Sequence, residues 1–184
     1  MWNNTRETYG WISIALHWLV ALMVFGLFGL GLYMVDLSYY DSWYKGSVAL
    51  HKSLGISLAL LLSLRILWRI ASAQPESLLA ASKKLQRQLA LWALRLLYAL
   101  LLTLLVSGYM ISTADGRAIA VFDWFEIPAL PWQFTRQENL AGDVHFYLAW
   151  SLISLVALHA LAALKHHFFD RDNTLKRMLS PRKH

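Results

Sequence analysis

The sequence predicts an all-α integral membrane protein, a bundle of four transmembrane helices. Hydrophobic residues make up 58% of the 184-residue chain and charged residues only 15%, which departs strongly from the composition of an average soluble domain. Four stretches each contain the roughly 20 apolar residues that a membrane-spanning helix needs. Because no internal repeat or low-complexity tract divides the chain, residues 1–184 are predicted to form a single domain.

The four predicted spans cover residues 11–35, 48–70, 89–111 and 143–168. The first is too long for a signal peptide and lacks a small-residue cleavage site, so we expect it to be retained. Of the 17 Lys and Arg residues, 13 lie in the terminal segments or near the connection between the second and third spans. The positive-inside rule therefore predicts that both termini are cytoplasmic.

Charge and cysteine content exclude several classes of protein. The net charge is +6, but seven of the 11 acidic residues lie on the predicted outer side. The basic character therefore follows from topology, and no nucleic-acid partner is expected. The chain has no cysteine, which rules out disulfides, cysteine-held iron–sulfur clusters and covalently attached c-type haem. Any metal must be held by histidine or carboxylate.

The longest outer segment, residues 112–142, is rich in aromatic residues and proline, including Trp124 and Trp132. We expect it to lie on the membrane surface as a cap over the helices. Its aromatic side chains suit the water–lipid interface, and a surface for quinone or for a protein partner is the alternative.

Four histidines fall inside the predicted spans or at their ends: His17, His51, His145 and His159. An ionisable side chain is costly in hydrocarbon, so an intramembrane histidine is a functional candidate. His145 and His159 are 14 residues apart, which places them within about 40° of each other on one helix face and about 21 Å apart along its axis. One helix thus offers a histidine near each membrane surface.

Depth in the membrane predicts how these histidines pair. His17 is level with His159 on the cytoplasmic side, and His51 is level with His145 on the outer side. Two imidazoles on facing helices can fill both axial positions of a haem iron, which favours electron transfer over oxygen binding. The sequence thus predicts two b haems, with hydrogen bonding between helices as the alternative role for the histidines.

Other residues on these faces are candidates for haem contacts. Gly31 follows His17 by 14 residues, and Gly55 lies one turn after His51; each leaves room for a porphyrin or simply allows close helix packing. Arg65 follows His51 by 14 residues. Arg65 and Arg69 on the cytoplasmic side, and Lys52 on the outer side, are candidates to bind haem propionates, or alternatively to anchor helix ends at the interface. The candidate haem contacts are Gly31, Gly55, Lys52, Arg65 and Arg69, beside the predicted ligands His17 and His51.

His166 and His167 lie where the fourth span leaves the membrane. His166 follows His159 by two helical turns, so it is a candidate to pass protons to a quinone near the cytoplasmic haem. Interfacial anchoring beside Lys165 is the alternative.

Several short motifs resemble the bacterial cytochrome b561 family along the whole chain: ALHWL, LHKSLGI, LLSLRILWR, DVHF and LHALAALKHHFFDRDNTLKRM. The resemblance implies a multi-pass protein of the bacterial inner membrane. It also implies two b haems with ligands from the first, second and fourth helices, which correspond to His17, His51, His145 and His159. Some members of the family look like superoxide or ubiquinone oxidoreductases. Others are encoded near a periplasmic isoprenoid-binding protein, and the segments LSYYDSWY and GYMISTADGR are more similar to this second group.

The expected function is transmembrane electron transfer through two bis-histidine b haems, in an oxidoreductase that exchanges electrons with ubiquinone. Superoxide or a periplasmic protein is the expected partner on the outer side, and the direction of flow is left open. One alternative is a haem-bearing membrane anchor subunit of a larger oxidoreductase, as in the cytochrome b subunits of hydrogenases and formate dehydrogenases. Another is a histidine-lined proton or metal transporter, although such sites usually gather near the midplane. A homo-oligomer is compatible with the sequence.

Overall fold

A computed structural model describes residues 1–76, 78 and 84–181 of the chain. Four long helices dominate it: α1 (Trp11–Val35), α2 (Tyr44–Ala71), α3 (Lys84–Ser112) and α4 (Gln137–Phe168). All four are long and apolar enough to cross a membrane, so the predicted helical class and the four spans are confirmed. Helices α2, α3 and α4 begin four to six residues before the predicted spans, because their backbone hydrogen bonds continue into polar flanks that hydropathy does not detect.

The apolar side chains of these helices point mostly outwards. In the most apolar part of each helix, no more than 11% of the residues are buried within the protein. Leu22 and Ile70, for example, are 71% and 78% exposed. Such a surface would be insoluble in water and is suited to lipid, so the chain is a multi-pass membrane protein.

The described chain forms two compact units. Unit 1 contains Met1–Ala21, Leu61–Ala99 and Ser154–His184, and unit 2 contains Leu22–Leu60 and Leu100–Ile153. Each helix contributes one part to each unit. The interpretation of the chain as a single domain remains a prediction, and the basic connection after α2 falls partly on residues 77 and 79–83, which lie outside the described residues.

In unit 1, Asn4 fixes the start of α1. Its Oδ1 accepts hydrogen bonds from the Gly10 backbone N–H (2.9 Å) and the Ser13 hydroxyl (2.7 Å), which satisfies donors at a helix N-terminus. Its Nδ2 donates to the Ser72 hydroxyl and to the Ala73 carbonyl, both at 3.0 Å. A side chain on Gly10 would meet the Trp2 carbonyl oxygen at 2.1 Å. The N-terminal segment therefore crosses the start of α1 where only glycine fits.

In unit 2, part of the connection between α3 and α4 forms an antiparallel β-hairpin. Strand β1 (Ile119–Val121) pairs with β2 (Phe125–Ile127), with Val121 opposite Phe125. The sequence predicts a surface cap within an all-α protein here and indicates no strands. Three-residue strands carry too little alternation to be recognised from sequence, and the turn between them lacks the glycine that usually marks a tight hairpin.

The side of the membrane on which each connection lies is a prediction from charge, and the absence of native cysteine allows a clean test. We expect Tyr40→Cys, at a residue that is 94% exposed, to react with a membrane-impermeant maleimide in intact spheroplasts. Ala73→Cys, in the connection after α2, should react only after permeabilisation. The opposite pattern would place the termini outside.

Candidate functional site

Unit 2 brings His51 of α2 and His145 of α4 together. Their ring centroids are 6.3 Å apart and the ring planes are inclined by 71°. The Nδ1 atom of His51 is buried and has no hydrogen-bond partner within the described residues. The two histidines predicted to pair on the outer side are thus neighbours, with one ring nitrogen lacking a protein partner.

The His145 ring is held by α3. Its Nδ1 lies 3.0 Å from the Ser107 hydroxyl and 3.1 Å from the Leu104 carbonyl oxygen. Because the Ser107 hydroxyl itself donates to the Leu104 carbonyl at 2.8 Å, both neighbours can accept a proton from the imidazole. Nδ1 therefore carries the hydrogen, which leaves Nε2 free for a metal. A metal-binding histidine is commonly oriented in this way through its second nitrogen.

Two glycines lie against these imidazoles. A Cβ atom on Gly108 of α3 would be 3.1 Å from Cε1 of His145, which is tighter than ordinary contact. A Cβ atom on Gly31 would meet Cε1 of His51 at 3.5 Å, an ordinary contact, whereas at Gly55 it would meet nothing within 4 Å. The role of Gly31 and Gly55 in leaving room for a porphyrin remains a prediction, and Gly108 is a close contact that the sequence did not indicate.

Unit 1 brings His17 of α1 and His159 of α4 together in a similar way. Their ring centroids are 6.4 Å apart and the ring planes are inclined by 64°. The second predicted pair is therefore also adjacent, and its spacing nearly equals that of the pair in unit 2.

Arg65 of α2 lies beside the pair in unit 1. Its Nε donates to the Tyr98 hydroxyl at 3.0 Å, and its Nη2 lies 3.1 Å from Nδ1 of His17. Because a guanidinium can only donate, His17 accepts at Nδ1 and carries its own hydrogen on Nε2. The remaining Nη1 of Arg65 is buried and has no hydrogen-bond partner within the described residues. A buried, half-satisfied cation is costly unless an anion joins it.

Two other predicted cations make no such contact. Within the described part of the chain, the side chains of Arg69 and Lys52 have no hydrogen bond or ion pair, and both residues are half-buried. The structure does not bring either of them into polar contact with the paired histidines, so their role at haem propionates remains a prediction.

Helix α3 supplies contacts that the sequence analysis missed. It has no histidine, yet it provides Tyr98 to Arg65, and Leu104, Ser107 and Gly108 to His145. The adjacent serine and glycine within an apolar span were the available signal, since small and polar residues mark close helix contacts in membranes.

At the end of α4, His166 lies among charged groups. Its Nδ1 is 2.7 Å from an Asp170 carboxylate oxygen and 3.2 Å from one of Asp172. The Lys165 ammonium lies 2.6 Å from the same Asp170 oxygen. This group is a cluster of charged side chains at the end of α4, in which the ring nitrogens of His166 can donate or accept a proton.

The helices and the two histidine pairs together define a membrane protein of the b-cytochrome class. The family model described as prokaryotic cytochrome b561 matches residues 8–181. The chain is 52% identical to cytochrome b561 homolog 2 of Escherichia coli (strain K12), over 96% of this chain and 94% of that protein. It is 31% identical to the probable superoxide oxidase CybB of Yersinia pestis, over 95% of this chain and 97% of that protein. The chain belongs to the prokaryotic cytochrome b561 family.

Membership confirms the family resemblance and gives the protein its general character: a membrane cytochrome that binds haem b and transfers electrons. The geometry of both histidine pairs fits such a group. An iron ion bound to one nitrogen of each ring at about 2.0 Å, with roughly 1.1 Å from each nitrogen to its ring centre, would need centroids no more than about 6.2 Å apart. The observed separations are 6.3 and 6.4 Å. The unpartnered Nη1 of Arg65 also suits an acidic group such as a propionate.

Replacement of Gly108 by valine should disturb His145 selectively. The added side chain would meet a ring that is already 3.1 Å from the position of a Cβ atom, so we expect loss of haem from unit 2 and its retention in unit 1. The measurement is haem content per chain with reduced-minus-oxidised spectra. Gly142→Ala is the control, because a Cβ atom there meets nothing within 4 Å. If Gly108→Val kept its full haem content, that result would contradict a role for His145 in haem binding.

Proposed function

We propose that the chain carries electrons across the membrane through two b haems, one held by His17 and His159 and the other by His51 and His145. The near-equal centroid separations of 6.4 and 6.3 Å are the observation that carries this proposal. When bound, haem supplies a one-electron couple between ferrous and ferric iron. The residues of the chain hold its plane, orient the imidazoles and exclude water.

Arg65, the buried cation of unit 1, has a role in haem binding under this proposal. His17 would hold the iron through Nε2 and carry its own hydrogen on Nδ1. Arg65, whose Nη2 lies 3.1 Å from that Nδ1, would then donate to a haem propionate instead. The same propionate would satisfy the buried Nη1 that has no partner within the described residues.

Ubiquinone dissolved in the bilayer is the proposed partner for electron exchange. The most apolar part of each helix faces outwards along most of its length, which gives a lipid-soluble carrier direct access to the protein. Reduction of a quinone to its quinol takes up two electrons and two protons. His166, flanked by Asp170 and Asp172 at 2.7 and 3.2 Å, is the proposed route for protons from the cytoplasm.

The proposed location is the bacterial inner membrane, with the termini in the cytoplasm and the β-hairpin on the outer side. Superoxide oxidation is a second candidate function, and the similarity to the probable superoxide oxidase of Yersinia pestis favours it. A membrane anchor subunit would copurify with a catalytic partner. A proton or metal transporter would contain no haem.

Substitution of one histidine from each pair separates the two sites. We expect the purified protein to contain two b haems, His17→Ala to lose the one in unit 1, and His145→Ala to lose the one in unit 2. Haem content and low-temperature difference spectra should therefore show complementary losses. His184→Ala, at a histidine outside the described residues, is the control and should keep both haems. A protein without haem would favour the transporter.

Arg65→Leu should lower the midpoint potential of the haem in unit 1 only. Loss of a nearby cation destabilises the extra electron, and we expect a shift on the order of 50 mV, the equivalent of roughly 1 kcal/mol for a one-electron couple. A spectroelectrochemical titration measures both haems in one sample. Arg65→Lys keeps the charge and should recover most of the potential. Equal shifts in both haems, or none, would show that Arg65 is not a propionate partner.

A further inference from the structure

The hairpin in unit 2 presents an exposed tip that the proposed electron-transfer function does not yet use. We define the hairpin tip as residues 122–126, which comprise the turn after β1 and the first two residues of β2: Phe122, Asp123, Trp124, Phe125 and Glu126. Trp124 is 82% exposed, and its ring lies 5.5 Å from that of Phe122. Asp123 and Glu126 are also exposed. The tip thus combines aromatic side chains with carboxylates at the protein surface.

The hairpin tip is fixed next to a histidine of the proposed haem site. The Phe122 backbone N–H donates to the hydroxyl of Ser53 at 3.1 Å, and Ser53 follows His51 by two residues on α2. Behind the tip, Ile119 and Val121 of β1 are only 3% and 2% exposed. The tip is therefore anchored to the helix that carries His51 and is not a freely moving loop.

The backbone of the tip is strained. Phe122 has φ 47° and Asp123 has φ 58°, a left-handed conformation that is uncommon for residues other than glycine and asparagine. Such conformations persist where the surrounding structure imposes them, and they often accompany function. Two glycines could make the same turn without strain. The residues present at the turn instead place aromatic and acidic side chains on the protein surface.

The surface around the tip is acidic. The predicted outer side carries seven acidic and four basic residues, all of them in unit 2. Arg117 is committed to Asp115 at 3.2 Å. Asp123 and Glu126 have no hydrogen bond or ion pair within the described residues, so the charge of the tip is not neutralised locally. The acidic residues are Asp36, Asp41, Asp115, Asp123, Glu126, Glu138 and Asp143.

We propose that the hairpin tip is the docking surface for a positively charged soluble redox protein that exchanges electrons with the haem of unit 2. The inference rests on the proposed two-haem function and adds the place and the charge of the partner. Complementary charge speeds diffusional encounter, and transient electron-transfer complexes use small surfaces of this kind.

Membrane contact is the competing use of exposed aromatic residues. Tryptophan suits the interface, but the exposed carboxylates of Asp123 and Glu126 would have to leave water if the tip entered the membrane, which is costly for a charged group. The charge pattern of the tip therefore favours a cationic protein over lipid.

The test uses one electron acceptor in two charge states. The reduced haem protein, in nanodiscs of neutral lipid, is mixed in a stopped-flow instrument with oxidised c-type cytochrome, either in its lysine-rich cationic form or after succinylation has made it anionic. We expect the cationic form to oxidise the protein about tenfold faster at low salt, and this advantage to disappear by roughly 0.2 M salt because of screening.

Substitutions then show which part of the surface causes the faster reaction with the cationic cytochrome. Asp123→Asn/Glu126→Gln should slow the reaction with the cationic form at least threefold and weaken its dependence on salt. Asp36→Asn/Glu138→Gln makes the same change in charge outside the tip and should have less than half that effect. Trp124→Ala should lower the rate while leaving the salt dependence unchanged.

Two outcomes would overturn the inference alone. Equal rates for both forms of the cytochrome, in a protein that holds two haems and is oxidised by a quinone, would exclude a charged docking surface while leaving the proposed function intact. Quenching of Trp124 fluorescence by brominated lipid, measured as the difference from Trp124→Phe, would place the tip in the membrane. Absence of haem would instead contradict the proposed function itself.

Discussion

The structure depends on the cost of placing ionisable groups in hydrocarbon. The four paired histidines and Arg65 lie within spans made mostly of apolar residues, where an ionisable side chain is costly unless it finds a partner. The protein lowers this cost by placing these side chains next to one another. His17 is next to His159 and Arg65 in unit 1, and His51 is next to His145 in unit 2. The helices are therefore constrained to bring these side chains together, and the buried Nη1 of Arg65, which has no hydrogen-bond partner within the described residues, is a group that a haem propionate would complete.

The features that follow from helical periodicity were predictable from the sequence. The four apolar stretches appear as four helices, and the 14-residue interval between His145 and His159 led to the pairing that the structure shows. The position of Arg65 near His17 followed from the same interval, counted from His51. Whether these residues bind haem is a chemical question that the fold does not answer, and it remains a prediction.

The features that depend on contacts between distant segments were not predictable. Ser107 and Gly108 matter only because α3 places them against His145, and nothing in the local sequence of α3 specifies that neighbour. The β-hairpin is stabilised by the burial of Ile119 and Val121 and by the hydroxyl of Ser53, which overcomes an unfavourable turn. A three-residue strand has no independent preference strong enough to be recognised. Tertiary contacts decided both features.

The contact between Arg65, Tyr98 and His17 joins three helices within unit 1. Arg65 belongs to α2, Tyr98 to α3 and His17 to α1, and the two donor–acceptor distances are 3.0 and 3.1 Å. Hydrogen bonds between helices contribute to their association in a membrane, so this one side chain helps to fix the rotation of three helices about their axes. A change at Arg65 therefore alters helix packing as well as charge.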